Sequence, residues 1–243
     1  MLIVGLLNGR SNRSSDADPE TTGKPILYSK AKSTQAERTA KILNKFIIRV
    51  TEELSGQQPA NTCLLRGTAK YPTIPSMNEL FQLKAAAIAS YPMYRGLAQL
   101  VGMDILDTGS TIREEINTLK KYFNRYNFFF VHIKKTDSYG EDGNFSKKVK
   151  TIEEFDKVLP DILKLNPQTL VITGDHSTPS TMKSHSWHPN PFLIKSPYFR
   201  ANPGKPKTFC ETTCANGVLG RFHSIDILPL MMAHALKLKK YGA

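Results

Sequence analysis

From Thr34 to Leu54 the apolar residues Ala36, Ala40, Leu43, Ile47, Val50 and Leu54 recur three or four positions apart. That spacing predicts an amphipathic helix. The polar stretch before it, residues 10 to 35, is rich in Ser, Asp, Pro and Thr and predicts a loop. Residues 55 to 78 carry Pro59, Pro72 and Pro75 and read as loop, with one short apolar run around Leu64 where a strand fits. Leu83 to Val101 reads as helix, kinked or split at Pro92. Thr111 to Tyr126 predicts another helix, and Phe128 to Ile133, continuous and rich in β-formers, a buried strand. Ile152, Phe155, Val158, Leu159, Ile162 and Leu163 mark the next helix. Leu170 to Thr173 predicts a second strand, closed by Gly174, and Pro191 to Ile194 a third. Ser224 is placed to cap a last helix, Ile225 to Lys239, with Leu228, Met231, Met232 and Ala235 on one face. Strands alternating with helices predict an α/β fold, a mostly parallel sheet with helices on both faces. Functional groups in such sheets gather at the carboxyl ends of the strands. There is no internal repeat and no low-complexity tract.

Composition narrows the class. A chain of 243 residues suffices for one large domain or two small ones. Hydrophobic residues at 40% and charged residues at 22% fit an ordinary globular protein. The longest apolar stretches are Phe128 to Val131, Leu228 to Ala233, and Leu2 to Leu7 broken by Gly5. None approaches the roughly 20 residues of a membrane-spanning helix. The opening MLIVGLLNG lacks a basic leader region and its apolar run is shorter than a signal-peptide core, which gives a cytoplasmic expectation. Three cysteines, Cys63, Cys210 and Cys214, argue against a disulfide scaffold. Cys210 and Cys214 could share a helix face, but without a clear partner set they read as ordinary thiols rather than a zinc site. The net charge of +12 favours anionic partners: a phosphorylated metabolite, a nucleic acid or an acidic protein face. The basic residues are spread out, with small clusters at Lys134–Lys135, Lys147–Lys150 and Lys237–Lys240 that solvated helix faces also explain.

Two strand ends hold the chemistry. After VHI comes Lys134-Lys135-Thr136-Asp137, then Gly140-Glu141-Asp142-Gly143; after LVIT comes Gly174-Asp175-His176-Ser177-Thr178-Pro179. A third group, His185-Ser186-Trp187-His188-Pro189, precedes the third strand. Asp, His and Glu at neighbouring strand ends can converge on one point, and carboxylate oxygen with imidazole nitrogen is a ligand set for manganese, zinc or iron-like ions. A metal beside phosphate neutralises the developing charge and activates an oxygen nucleophile. Taken singly, these residues have plainer uses. Asp137 suits a helix cap or turn, Glu141 an ordinary loop carboxylate, and His132 a packed strand residue; His223 and His234 suit structural places near the last helix. The pair Asp175-His176 is the stronger signal, and His185 strengthens it further.

The segments TGDHSTP and HSWHPNP resemble the metal-binding segments of the alkaline phosphatase superfamily. VHIKKTDSYGEDGNFSKKVKTIEEFD resembles the archaeal-type branch of cofactor-independent phosphoglycerate mutase. So do DADPE, ERTAKILNKF, NTCLLRG, FQLKAAAIASYPMYRGLAQLVGMDIL and the stretch from CETTCANGVLG to LKKYGA. The resemblance covers nearly the whole chain. It implies interconversion of 3-phosphoglycerate and 2-phosphoglycerate, a glycolytic isomerisation in which a serine carries the phosphoryl group with the help of two divalent ions, manganese or else zinc or magnesium. By the same resemblance Asp137 and His185 are ligands of one metal, and the third position, a histidine in the family, is Glu141 here. Asp175 and His176 are ligands of the second metal. Arg66 in LLRG is a substrate-binding arginine, its planar guanidinium suited to phosphate or carboxylate, and Arg95 another substrate cation.

The resemblance also implies that the chain corresponds to the C-terminal part of the family's fold. Residues 1–90 are expected to be part of the smaller, inserted α/β cap domain, and residues 91–243 the C-terminal part of the metal-binding phosphotransfer domain. The segment bearing the nucleophilic serine is not found in the sequence. On its own the chain is therefore expected to hold one ion or none, and to work with an N-terminal partner chain or as a homo-oligomer. Glu141 adds negative charge and favours harder ions. The alternative function is a non-catalytic remnant or regulatory binder that keeps a partial metal site. Nucleic acid is disfavoured as a partner, because no recognition motif accompanies the charge, and no membrane partner is expected.

Overall fold

The structure, a computed structural model, describes residues 14–21, 23–69, 71–199 and 208–238. The apolar opening from Leu2 to Leu7 and the end of the last predicted helix at Lys239 lie outside the described residues. The chain divides into two compact units, Met1–Pro75 and Ser76–Ala243.

In the first unit the predicted amphipathic helix forms as α1 (Glu37–Glu53), entered through a 3-10 turn at Thr34–Ala36. Ala40, Leu43 and Ile47 are its buried stripe. Asn44 ties an extended segment to the helix: it accepts from the Ser29 amide at 2.7 Å and donates to the Ser29 carbonyl at 3.0 Å. A bridge between Ser14 and Ala31 joins two extended stretches. The run around Leu64 forms no strand. Leu64 is half exposed, and the Leu65 carbonyl accepts an isolated bond from the Ala17 amide at 2.9 Å.

The second unit opens with α2 (Met77–Phe81), where Ser76 and Glu79 form a reciprocal capping box. The segment expected as one split helix is instead β1 (Ala85–Ala89) followed by α3 (Pro92–Leu100). Alanine favours helix in isolation, but here AAAIA lies fully buried at the centre of a sheet, and tertiary context overrides propensity. Pro92 occupies the first turn of α3, where its missing N–H costs nothing. β2 (Asp104–Ile105) comes next, then α4 (Ile112–Tyr122) with a second capping box from Thr111 and Glu114, then β3 (Phe128–His132). These strands form a parallel sheet in the order β2-β1-β3, with Ala89 opposite His132 at the carboxyl ends. Ile88, Ile116, Leu119, Val158 and Ile162 fill the core between sheet and helices.

Beyond β3 lie α5 (Lys135–Glu141), α6 (Phe145–Lys164), β4 (Leu170–Thr173) and β5 (Phe192–Lys195). β4 and β5 do not continue the parallel sheet; they pair antiparallel with each other as a separate two-stranded sheet. Parallel pairing needs a crossover, usually a helix, whereas the connection from residue 174 to 191 carries none. The fold is therefore α/β, with one parallel sheet and one hairpin-like pair. α7 (Glu211–Ala215) and α8 (Ile227–His234) complete the described unit. Ser224 begins a 3-10 turn before α8 and its side chain caps nothing, contrary to the expectation from sequence. No helix among the described residues is long and apolar enough to cross a membrane.

Candidate metal centre

The segments after β3 and β4 assemble the site. α5 begins three residues after His132, so Asp137 stands in its first turn and Glu141 at its end, one helical turn apart on the same face. An acid near a helix N-terminus is favoured by the exposed amides there. After β4, Asn190 braces the loop: it donates to the Gly174 carbonyl at 3.0 Å and accepts from the Ser177 hydroxyl at 2.9 Å. The Ser186 amide donates to the Ser177 carbonyl at 2.9 Å, which draws His185 beside His176. The two imidazole rings lie 3.8 Å apart, centre to centre.

The donors converge. Asp137 Oδ1 lies 3.6 Å from His185 Nε2 and 3.8 Å from His176 Nδ1. Glu141 Oε1 is 3.5 Å from His185 Nε2, and Asp175 Oδ2 is 3.6 Å from His176 Nε2. Ligand atoms of Asp137, His176 and His185 all fall within 4.8 Å of one another. Ligands held about 2.1 Å from one tetrahedral ion sit roughly 3.4 Å apart. The Asp137–His185, Glu141–His185 and Asp175–His176 separations lie close to that, and carboxylate oxygen with imidazole nitrogen is the chemistry such ions take. The residues present fit a divalent ion.

Four neighbours hold the donors in place. Lys134 puts its ammonium on Asp137 Oδ2. The hydroxyl of Thr178, a residue only 4% exposed, donates to Asp137 Oδ1 at 2.5 Å and lies 3.0 Å from His176 Nδ1. The Lys148 ammonium donates to the Thr178 carbonyl at 2.7 Å. The Tyr94 hydroxyl donates to Asp175 Oδ2, and its ring stacks on His132 at 3.6 Å.

These contacts set the charges. Burial opposes ionisation of Asp137, but the bonds from Lys134 and Thr178 and the charges of Lys134 and His176 outweigh it, and its pKa is lowered. Asp175 behaves alike: burial raises its pKa, while the Tyr94 bond and the His176 charge bring it below the ordinary value. Burial, with the bond to Asp175 and the charges of Asp175 and Asp137, raises the Tyr94 phenol and keeps it a proton donor. Burial lowers His132, against the pull of Asp175, in keeping with the packed strand histidine expected there.

Of the residues singled out in sequence, the structure brings together Asp137, Glu141, Asp175, His176 and His185. Arg95 stands in α3 and pairs with Asp107 at 2.9 Å, with a longer bond to the Ala89 carbonyl at 3.4 Å. Arg66 lies in the first unit, 3.5 Å from both Asp18 and Glu20. Cys210 and Cys214 are free thiols; Cys210 faces the Thr213 hydroxyl at 3.3 Å and Cys214 the Phe192 carbonyl at 3.8 Å. Lys134 and Thr178 lie in the strand-end segments picked out in sequence and Lys148 in a basic cluster, but neither their roles nor that of Tyr94 could be read there. A lysine three residues before an acid, or a threonine two after a histidine, is too common a spacing to stand out.

A family model described as the metalloenzyme superfamily matches residues 10–234. A protein of Thermosipho africanus named a probable 2,3-bisphosphoglycerate-independent phosphoglycerate mutase is 51% identical over 235 residues, 97% of this chain and 58% of the relative's length. Relatives with the same printed name are 52% identical in Aquifex aeolicus, over 98% of this chain and 58% of that protein, and 47% identical in Thermus thermophilus, over 100% and 60%. The chain thus spans about three-fifths of the length of the curated relatives it matches. A solved structure from Pyrococcus horikoshii superposes with a TM-score of 0.75 at 30% identity, covering 86% of this chain and 60% of that one. A cofactor-independent phosphoglycerate mutase from Thermoplasma acidophilum shares the fold at a TM-score of 0.60 and 24% identity, over 93% and 59%.

Proposed function

Because the chain belongs to the metalloenzyme superfamily, we propose that it supplies the metal-binding part of an enzyme interconverting 3-phosphoglycerate and 2-phosphoglycerate. The observation that supports this most is the convergence of Asp137, His176 and His185 in a chain whose relatives carry the mutase name. The proposed reaction belongs to the assembled enzyme, of which this chain corresponds to about three-fifths. In this proposal residues 1–90 are part of the cap domain, and residues 91–243 are the C-terminal part of the phosphotransfer domain. The setting is glycolysis in the cytoplasm, which the few, unpaired cysteines support.

Asp137, Glu141 and His185 are the proposed donors to one ion, and Asp175 with His176 to a second. Manganese is the proposed metal, and Glu141 in place of an imidazole moves preference toward hard ions, magnesium included. Bound divalent ions supply charge neutralisation at a transferring phosphoryl group. The chain's own residues do the rest of the work assigned here. Lys134 holds the second oxygen of Asp137 and leaves the first facing the imidazoles. Tyr94 fixes Asp175 by donating to it. Arg66 and Arg95 are proposed to bind phosphoglycerate, and each already engages carboxylates, the kind of group that ligand presents.

The test is a coupled mutase assay with manganese on this chain together with a polypeptide supplying the remainder of the relatives' length. Turnover lost on Asp137→Ala supports the proposal. Phosphoglycerate binding without turnover would favour the regulatory binder. Absence of both would overturn the functional assignment.

A further inference from the structure

Thr178 is the point on which the two donor loops are joined. It packs on Gly140 of α5 so closely that a Cβ there would lie 2.9 Å from Thr178 Cγ2. The Lys148 ammonium of α6 holds the Thr178 carbonyl at 2.7 Å. The residue is therefore held from two helices, its methyl against α5 and its backbone carbonyl by α6. That hydroxyl has one proton and two neighbours, Asp137 Oδ1 at 2.5 Å and His176 Nδ1 at 3.0 Å. An ionised carboxylate only accepts hydrogen bonds, so the Thr178 proton belongs to Asp137. Toward His176 the oxygen is left as an acceptor, which requires a proton on Nδ1. A neutral imidazole protonated at Nδ1 has its lone pair on Nε2, the nitrogen that faces Asp175 Oδ2 at 3.6 Å.

We propose that Thr178 is a positioning residue that fixes His176 as the Nδ1–H tautomer, through a directed chain from His176 to Thr178 to Asp137. Distance alone groups His176 with Asp137 and His185. The proton order leaves Nε2 of His176, the nitrogen facing Asp175, as the one free to bind an ion. This deepens the metal-binding proposal and rests on it for the manganese half of its test.

The experiment uses the full chain labelled with 15N-histidine, without added metal, at about pH 8, above the ordinary histidine range. His176 is assigned by its loss in His176→Gln. The wild type is expected to show a protonated Nδ1 and an unprotonated Nε2. Thr178→Val, which keeps the shape and removes the hydroxyl, is expected to lose that pattern, and Thr178→Ser to restore it. Manganese titration by calorimetry is expected to show affinity falling 10- to 100-fold in Thr178→Val, as for other residues that orient a metal-bound histidine, with recovery in Thr178→Ser. A folded Thr178→Val chain that keeps the Nδ1–H pattern overturns the inference. So does a folded Thr178→Ser chain that fails to restore it. A wild type with the expected tautomer and no manganese binding overturns the metal proposal instead, so the two failures are distinguishable.

Discussion

Replacing Gly140 by alanine sets two effects against each other, and the structure decides between them. Within a helix, Gly→Ala normally stabilises by about 1 kcal/mol. At Gly140 the new Cβ would lie inside contact distance of the Thr178 carbonyl oxygen, 2.9 Å from Thr178 Cγ2 and 3.1 Å from Lys148 Nζ. The lysine end could move, but the carbonyl is backbone already engaged by Lys148, and Thr178 itself is 4% exposed. Because the clash is with backbone rather than a flexible side-chain end, the overpacking cost lies in the upper part of its usual range, about 2 to 3 kcal/mol, so the expected net loss is about 1 to 2 kcal/mol. At roughly 2–4 °C per kcal/mol for a unit of this size, Tm should fall by several degrees. Gly56→Ala is the control: no atom lies within 4 Å of a Cβ built there, and its effect should stay within about 0.5 kcal/mol. Urea and thermal denaturation of both variants measure the difference. A Gly140→Ala chain as stable as the wild type, or more stable, would refute the close packing of α5 on the Thr178 loop.

Glu115 is 2% exposed on α4, and burial pushes its carboxyl up to about 7, against the bonds from Ser90 and the charge of Lys135 that lower it. The folded pKa exceeds the unfolded one, so the folded state holds the extra proton and stability falls as pH rises from about 4.5 to about 7, by roughly 3 kcal/mol in all. Glu115→Gln should flatten that slope in denaturation midpoints measured between about pH 4.5 and 8; an unchanged slope contradicts the assignment. Thr111→Ala removes the α4 capping box, in which Thr111 Oγ1 accepts from the Glu114 amide at 3.3 Å. It should cost about 1 kcal/mol in the urea midpoint, and no change would count against the cap.

The elements legible in the sequence share a physical cause. α1, α4 and α6 carry apolar stripes at helical spacing, and β3 and β4 are unbroken apolar runs, so each announced itself. β1 did not, because AAAIA has alanine's helical preference and declares itself a strand only through burial between β2 and β3. β2 has two residues, Asp104 and Ile105, too few for any period. α5 was hidden by its content: Asp137, Ser138 and Gly140 are turn formers, and the helix shows only through its backbone bonds. Of the proposed metal donors, Asp175, His176 and His185 are chemically conspicuous after β4, whereas Asp137 and Glu141 took that role from the family resemblance. Thr178 and Tyr94 act through single hydroxyls, and nothing in the spacing of a hydroxyl tells which carboxylate it will meet across the fold.

The proposed divalent-metal centre is formed by α5 and the loops after β4. Manganese titration by calorimetry, with elemental analysis of the purified chain, tests it directly on the wild type and on Asp137→Ala and His185→Ala. One manganese ion is expected to be held by the wild type, with affinity lost in both variants while their folded spectra persist. No binding by the wild type, or binding undiminished in Asp137→Ala, would contradict it.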